Sequence, residues 1–304
     1  MDMIPSCPSG CSQRQNVRTV VRFGHFYRSS DRRKIQRFKC THCGKHFSQA
    51  SFSRNFGQNK RQLNHKIFQL LVSGVSQRRT ARLLKCHLTT VSRKLCFLGQ
   101  RARWLNHCDR RNRPKVSEVQ FDDLETFEHT KLKPLSITLM VEKSSRHILA
   151  FEVARMPAKG LLAKRSLKKY GYRKDERTPS RDRLFRRIKP VVPENAHIES
   201  DQNPSYFPLV KSFFPKAHYQ TCKGQRGAVT GQGELKKIGF DPLFSLNHTC
   251  AMFRANVNRL FRKTWCTTKK IQPLIDHLEL YVLYHNRVLL KSSQRKKRGA
   301  ALSR

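Results

Sequence analysis

The chain has 304 residues, 38% of them hydrophobic, and carries 63 Lys and Arg against 20 Asp and Glu, a formal net charge of +43. Such an excess repels itself in a compact state unless a polyanion neutralises it, so nucleic acid is the expected partner. No apolar run approaches the roughly 18 residues of a membrane span, and MDMIPSCPSG lacks the apolar core of a secretory signal. Neither a membrane nor a secreted protein is expected, and the ten cysteines are assigned to a reducing compartment.

Four of those cysteines cluster near the start. Cys7-Pro-Ser-Gly-Cys11 forms one pair and Cys40-Thr-His-Cys43, followed by Gly44-Lys45, forms the other. Thiolates two or three residues apart on a tight turn face one ion, and two such knuckles make the all-thiolate tetrahedral shell of structural zinc. His42 and His46 are substitute ligands. VRTVVRFGHFYR and KIQRFKC between the pairs have the β-branched and aromatic content of short strands. A zinc-ribbon β domain is expected over 1–52, because so few apolar residues would not fold unaided. The six scattered cysteines are read as packing.

LNHKIFQLLVSG places apolar residues at 63, 67, 70 and 71, a helical stripe ending at Gly74. Ser76 is suited to cap QRRTARLL, KCHL makes a turn, and Thr89 is suited to cap TVSRKLCFLGQRARW. Two helices of about 8 and about 12 residues across a short turn have the helix-turn-helix layout. This all-α DNA-binding domain is expected over 58–108, with Thr90, Ser92, Arg93 and Lys94 toward the major groove and Val91, Leu95 and Leu98 inward. An ordinary helical hairpin is the competing reading. DRRNRPKVSE at 109–118 reads as a linker.

Five of the 20 acids fall within 118–128: Glu118, Asp122, Asp123, Glu125 and Glu128. VQFDDLETF reads as a strand, on which adjacent Asp122 and Asp123 face opposite sides. Which of the two points at a site depends on the strand's phase. LSITLMVEKSSRHILAFEVA is a two-stranded hairpin. His197–Ser200 reads as a further strand with Asp201 at its end, Pro204 opens the next helix, KAHYQT is a short strand, and LNHTCAMFRANVNRL is helical.

The order is strand, two hairpin strands, helix, strand, helix, strand, helix, with Asp122 on the first strand and Asp201 at the tip of the fourth. That arrangement resembles the RNase H-like fold of DDE transposases. With FKCTHCGKHFS, FDDLETFEHTK, SDQNPSY, RLFRKTWCTTKK and the downstream YHN, the chain resembles, nearly end to end, bacterial insertion-sequence transposases with an N-terminal zinc ribbon and helix-turn-helix. The resemblance implies a multidomain protein whose α/β RNase H-like domain, a mixed sheet flanked by helices, spans 114–288. It implies Mg2+ or Mn2+ held by Asp122 and Asp201, phosphodiester hydrolysis and strand transfer at insertion-sequence ends. It further implies double-stranded terminal inverted repeats and target DNA as partners, a homo-oligomer on that DNA, and a bacterial, cytoplasmic, nucleoid-associated location. A non-catalytic or decayed DNA-binding protein and an RNase H-fold nuclease without strand transfer are the alternatives.

By position, the third ligand of such a site falls at Asn247, a departure from an acid. No acid occurs between Asp241 and Asp276. Asn247 is a neutral third ligand, a helix cap or the trace of a lost acid. Glu234 and Asp241 are rival third ligands, and Asp123 is the alternative to Asp122. Leu246, Cys250, Phe253, Val257 and Leu260 form an apolar stripe at helical spacing, with Asn247 and Arg254 on a different face. Arg254, Arg259, Arg262 and Lys263 are expected DNA contacts, as are Arg93 and Lys94. Residues 155–189, with 14 Lys and Arg against 3 acids, read as a backbone-binding track. GQRGAVTGQGELKK fits no phosphate-binding glycine motif and reads as a loop beside the site. IQPLIDHLELYVLYHN is a closing amphipathic helix, and residues 289–304 a disordered basic tail.

Overall fold

The computed structural model describes residues 4–11, 19–29, 32–223, 241–261 and 267–291. It divides into two compact units, residues 1–66 and 67–304. No helix among the described residues is long and apolar enough to cross a membrane.

In the first unit, β1 (Val20–Arg28), β2 (Arg33–Cys40) and β3 (His46–Ser48) form an antiparallel sheet in that order. Its core is Cys7, Val20, Phe38, Cys40 and Phe47. Five residues are too small a core to hold a fold unaided, so this unit needs a further cross-link. A bulge between Arg22 and His25, with Gly24 at φ 65°, re-aims β1 partway along.

The second unit is built on a five-stranded mixed sheet. β4 (Glu118–Phe127), β5 (Pro134–Glu142), β6 (Ile148–Arg155), β7 (His197–Ser200) and β8 (His218–Thr221) lie in the order β6-β5-β4-β7-β8. The β4–β5 and β5–β6 pairs are antiparallel, and β4–β7 and β7–β8 are parallel. α4 (Leu162–Tyr170), α5 (Arg177–Ile188) and α6 (Tyr206–Phe213) follow in the stretches that join these strands. Val119 and Phe121 of β4 join Met140, Leu184, Phe185, Ile188, Tyr206, Val210 and Phe214 in one cluster, so α5 and α6 cover that face. α7 (Phe244–Asn256) meets β4 and β5 through the alternate residues of β4, because Gln120 accepts from the Leu246 N–H on the other face.

The helices preceding the sheet belong to this same unit. α1 (Leu63–Val72), within which the two units divide, ends at Gly74, φ 78°, with the Val75 N–H returning to the Leu70 carbonyl. Ser76 caps α2 (Gln77–Leu83) by accepting from the Arg79 N–H, as expected. After Lys85, at φ 47°, His87 caps the next helix, accepting from the Thr89 N–H. Thr89 therefore sits inside the helix, bonded to the capping imidazole at 2.8 Å.

That helix, α3 (Leu88–Arg111), runs for 24 residues, twice the expected length. It continues because its second half packs on α8 (Ile271–Tyr284). Gly99 makes the close approach possible: a Cβ there would fall 2.4 Å from Asp276 Cβ and 2.8 Å from the Asp276 carbonyl oxygen. Asn106 donates to the Glu279 carboxylate at 2.7 Å and to the Glu279 carbonyl at 3.0 Å, and Arg103 lies 3.6 Å from both Asp276 and Glu279. Buried carboxylates need such partners. Beyond α8, Asn286 accepts from the Ile148 N–H and donates to the Ile148 carbonyl. The YHN segment thus closes the backbone of β6. The stretch 109–118, read as a linker between domains, lies inside this one unit.

Gly99→Ala should cost roughly 2–4 kcal/mol, because backbone atoms must yield. A chemical-denaturation midpoint close to that of the unsubstituted chain would show that α3 and α8 are not packed this closely.

Candidate functional site

Two places gather chemistry. In the first unit, the thiols of Cys7, Cys11, Cys40 and Cys43 all lie within 4.8 Å of one another, with Cys7 3.3 Å from Cys11 and 3.6 Å from Cys43. All four are free thiols. A tetrahedron with Zn–S bonds of about 2.3 Å has edges of about 3.8 Å, so the donor set fits zinc. Each pair rides its own turn: the Gly10 N–H returns to the Cys7 carbonyl, and the Gly44 N–H to the Cys40 carbonyl. Gly44 needs its φ of 70° to close the second turn. The N–H groups of Cys43 and His42 help bring the Cys40 thiol down to about 6. The neighbouring sulfurs of Cys7 and Cys43 push the Cys11 thiol up to about 12. Four thiolates cannot all ionise together without a cation, and zinc would relieve that conflict. His42 and His46 are not needed as ligands, and the His46 ring packs edge-on against Phe23 at 4.7 Å.

The second place lies on the large sheet. β4 and β7 pair in register Glu118↔His197, Val119↔Ile198 and Gln120↔Glu199. The Gln120 amide donates to Glu199 at 2.7 Å, so these two side chains share a face. Two residues further on, the same face carries Asp122 and Asp201. Burial first, then the charge of Asp201, pushes the Asp122 carboxyl up to about 7. Asp122 Oδ1 accepts from the Asp123 N–H at 2.6 Å and from the Tyr206 hydroxyl at 3.2 Å. Asp201 Oδ1 accepts from the Asn203 N–H at 3.0 Å, a turn that fixes the carboxylate just beyond β7. Among the described residues, neither Asp122 nor Asp201 has an ion-pair partner, although Lys and Arg outnumber acids threefold in the chain.

Asp123, the alternative to Asp122, faces the other side. It forms an ion pair with Arg181, whose side chain is 5% exposed, and accepts from the Thr138 hydroxyl at 2.6 Å. Arg181 also donates to Ser205 at 2.8 Å and its guanidinium lies 4.7 Å from the Tyr206 ring centroid. The role of Asp123 is to tie β4 to α5, which leaves its carboxylate spent.

Gln120, which sequence reasoning passed over, sets the phase of α7. Its amide donates to the Pro242 carbonyl at 2.7 Å, and its oxygen accepts from the Leu246 N–H at 3.1 Å. The Ser245 hydroxyl adds a bond to the Lys143 carbonyl, and Lys143 pairs with Glu199. Leu246 is thereby placed over Gln120, and Cys250, one turn on, comes within electrostatic reach of Asp122. Burial and then Asp122 push the Cys250 thiol up to about 12, while Arg254 acts in the opposite sense. The helix expected to run on through Leu260 ends at Asn256: Leu246 and Phe253 of α7 are buried and Cys250 half-buried, while Val257 is extended and Leu260, also buried, sits in a separate 3-10 turn.

Asn247 is exposed and donates to Asp241 at 2.9 Å. Of Asn247 and Cys250, Cys250 is the one that feels the charge of Asp122. Asn247 does not cap the helix either, since its N–H already bonds the Leu243 carbonyl. Asp241 is engaged with Asn247 and with the Leu243 N–H. Among the described residues, the four cysteines are the sole cluster of three or more metal-ligating His, Cys, Asp or Glu side chains. Glu234, Arg262 and Lys263 lie outside the described residues, as do 224–237 and 292–304. His248 lies with both ring nitrogens 3.3 Å from Arg146.

Of the expected DNA contacts on α3, Arg93 is exposed, whereas Lys94 is 4% exposed and turned into the unit with Leu95. Arg254 and Arg259 are half-buried. Helical phase explains Lys94: Val91, Lys94, Leu95 and Leu98 fall on one side at three- and four-residue spacing.

The Asp122 carboxyl is raised in the folded chain, so its contribution to stability is greatest below the ordinary carboxylate range near 4. That contribution declines as pH rises toward about 7. Asp122→Asn should therefore stabilise the metal-free protein by roughly 1–3 kcal/mol at pH 8 and leave it unchanged near pH 4. Denaturant melts at the two pH values check this; a loss of stability at pH 8 would contradict a raised carboxyl. Separately, Cys40→Ser or a strong chelator should release one zinc per chain and melt the small sheet, read as loss of protease protection confined to residues 1–66.

No protein-family model and no curated protein matches this chain.

Proposed function

We propose that the protein is a DNA transposase that hydrolyses phosphodiesters and transfers strands at the ends of an insertion sequence. The observation that carries this reading is the carboxylate pair Asp122 and Asp201. Asp122 lies on β4 and Asp201 just beyond the end of the adjacent parallel β7, close enough to act on its charge, and neither has an ion-pair partner among the described residues, in a chain of net charge +43. A buried carboxyl raised by its neighbour is the donor set that a divalent cation satisfies. The order β6-β5-β4-β7-β8, with the first acid on central β4, supports an RNase H-like fold for this unit.

Magnesium or manganese ions bound there would neutralise charge on the attacking and leaving oxygens of the phosphodiester. The chain's own residues do the positioning. Tyr206 and the Asp123 N–H hold Asp122 Oδ1, leaving its second oxygen for a cation. The Asn203 turn holds Asp201. Arg254, whose charge reaches Cys250, would hold a phosphate of the substrate. The zinc-binding unit and the exposed start of α3 at Ser92 and Arg93 would hold terminal-repeat duplex, with a homo-oligomer bringing two ends together.

One feature favours the second reading, a DNA-binding protein without catalysis: the α7 group whose titration couples to Asp122 is a thiol, Cys250, and not a carboxylate. Cleavage of terminal-repeat DNA with Mg2+ or Mn2+ separates the two. On the catalytic reading, Asp122→Ala and Asp201→Ala each lose at least about a thousandfold in rate, Asn247→Ala stays near the starting activity, and Glu234→Ala reports whether that residue supplies the missing charge. Normal cutting by the first two variants refutes the catalytic reading. Tight, sequence-specific binding with no cutting under either metal, unchanged by Asp122→Ala, establishes the second.

A further inference from the structure

The outward face of the small sheet has a composition that packing does not account for. Val20, Phe38 and Cys40 point to the core. Residues alternating with them point the other way: Val21 and Phe23 on β1, and Arg37 and Lys39 on β2. Beyond the bulge, Phe26 pairs with Ile35 and Arg28 with Arg33, continuing that face. Val21, Phe23 and Phe26 are 43%, 44% and 40% exposed. A domain with five core residues leaves two phenylalanines about two-fifths exposed on one face, with the His46 ring edge-on against Phe23. It surrounds them with cations: Arg37 and Lys39 hold their charges 5.6 and 5.7 Å from the Phe23 ring centroid. No acid occurs from residue 32 to residue 108.

We infer that this face, centred on Phe23 and Phe26, binds single-stranded nucleic acid by stacking bases on the two rings while Arg33, Arg37 and Lys39 contact its phosphates. The charge selects a polyanion. The exposed rings select the single strand, because base faces in a duplex are already stacked on one another and offer nothing to phenylalanine. Because the bulge sets three residues of β1 against two of β2, the rings are spaced by roughly 7 Å along the strand, about two base-stacking steps. Duplex phosphates alone would call for the cations without the rings. A second copy of this chain is disfavoured, since two such faces would bring like charges together. The inference is independent of the catalytic assignment: it concerns a different unit and needs neither Asp122 nor Asp201.

The test uses full-length, zinc-loaded protein and fluorescence anisotropy with a labelled 15-mer oligothymidylate and a mixed-sequence duplex of equal length. Phe23→Ala and Phe26→Ala should each weaken single-strand binding by roughly 5- to 150-fold and leave duplex binding within about twofold. Arg37→Gln should lower the salt dependence of single-strand binding by about one ion. Phe23→Trp, which retains a stacking surface, should bind normally and lose indole fluorescence on adding the oligonucleotide. The inference is overturned if the alanine variants keep full single-strand affinity, or if they lose single-strand and duplex affinity equally. Should an alanine variant lose its zinc, Phe23→Trp decides: saturating oligonucleotide without quenching, on protein that keeps one zinc, overturns it too.

Discussion

The second unit turns on one buried amide. Gln120, 1% exposed, is bonded to β7 through Glu199 and to the start of α7 through the Pro242 carbonyl and the Leu246 N–H. An amide has donors and an acceptor, so one side chain satisfies partners of both kinds. Removing it would strand a helix N–H and a carbonyl, each at a cost of about 1–3 kcal/mol, and would leave Glu199 with Lys143 alone. The consequence for chemistry is positional. With Leu246 fixed over Gln120, Cys250 comes within electrostatic reach of Asp122 and Asn247 turns outward to Asp241.

The same unit shows how a chain with few acids spends them. Asp123, Glu142, Glu152 and Glu199 pair with Arg181, Arg113, Arg187 and Lys143, fastening helices and loops to the sheet. Asp276 and Glu279 meet Arg103 between α3 and α8. Replacing any of these pairs with well-packed apolar residues would not obviously weaken the fold, but deleting one partner would leave a buried charge. Asp122 and Asp201 stand outside this economy of charge. Burial and then the charge of Asp201 hold the Asp122 carboxyl up, a cost to stability that the ion-paired acids do not carry in this way.

Much of this was legible in the chain, and the limits have a common cause. Alternation in VQFDDLETF and LSITLMVE marks strands directly, and Asp201 falls at a strand tip because Asp-Gln-Asn-Pro has turn chemistry. The Cys7–Cys11 and Cys40–Cys43 spacings bring four thiols together because each pair is local to its own turn. Ser76 reads as a cap for the same reason. What sequence reasoning misplaced depends on distant partners. The cap of α3 moved from Thr89 to His87, and the helix doubled in length because α8 lies against it. Lys94 faces inward although its charge suggested a DNA contact. Asn247 turns outward to Asp241 because Gln120 holds the N–H of Leu246, 126 residues further along the chain. A polar Gln alternating with Asp122 on an apolar strand was the available signal, since a buried amide there must have something to hold.

The length of α3 carries a mechanical consequence. At 1.5 Å per residue, a continuous helix of this kind is a rod of about 36 Å. Its first turns carry the exposed Ser92 and Arg93, and its far half is locked to α8 at Gly99, Arg103 and Asn106. α8 in turn leads into Asn286, which grips β6 at the sheet's edge. The path passes through the π-helical turn His285–Leu289 that carries Asn286. A force applied at the start of the rod would be carried through α8 to the edge of the sheet.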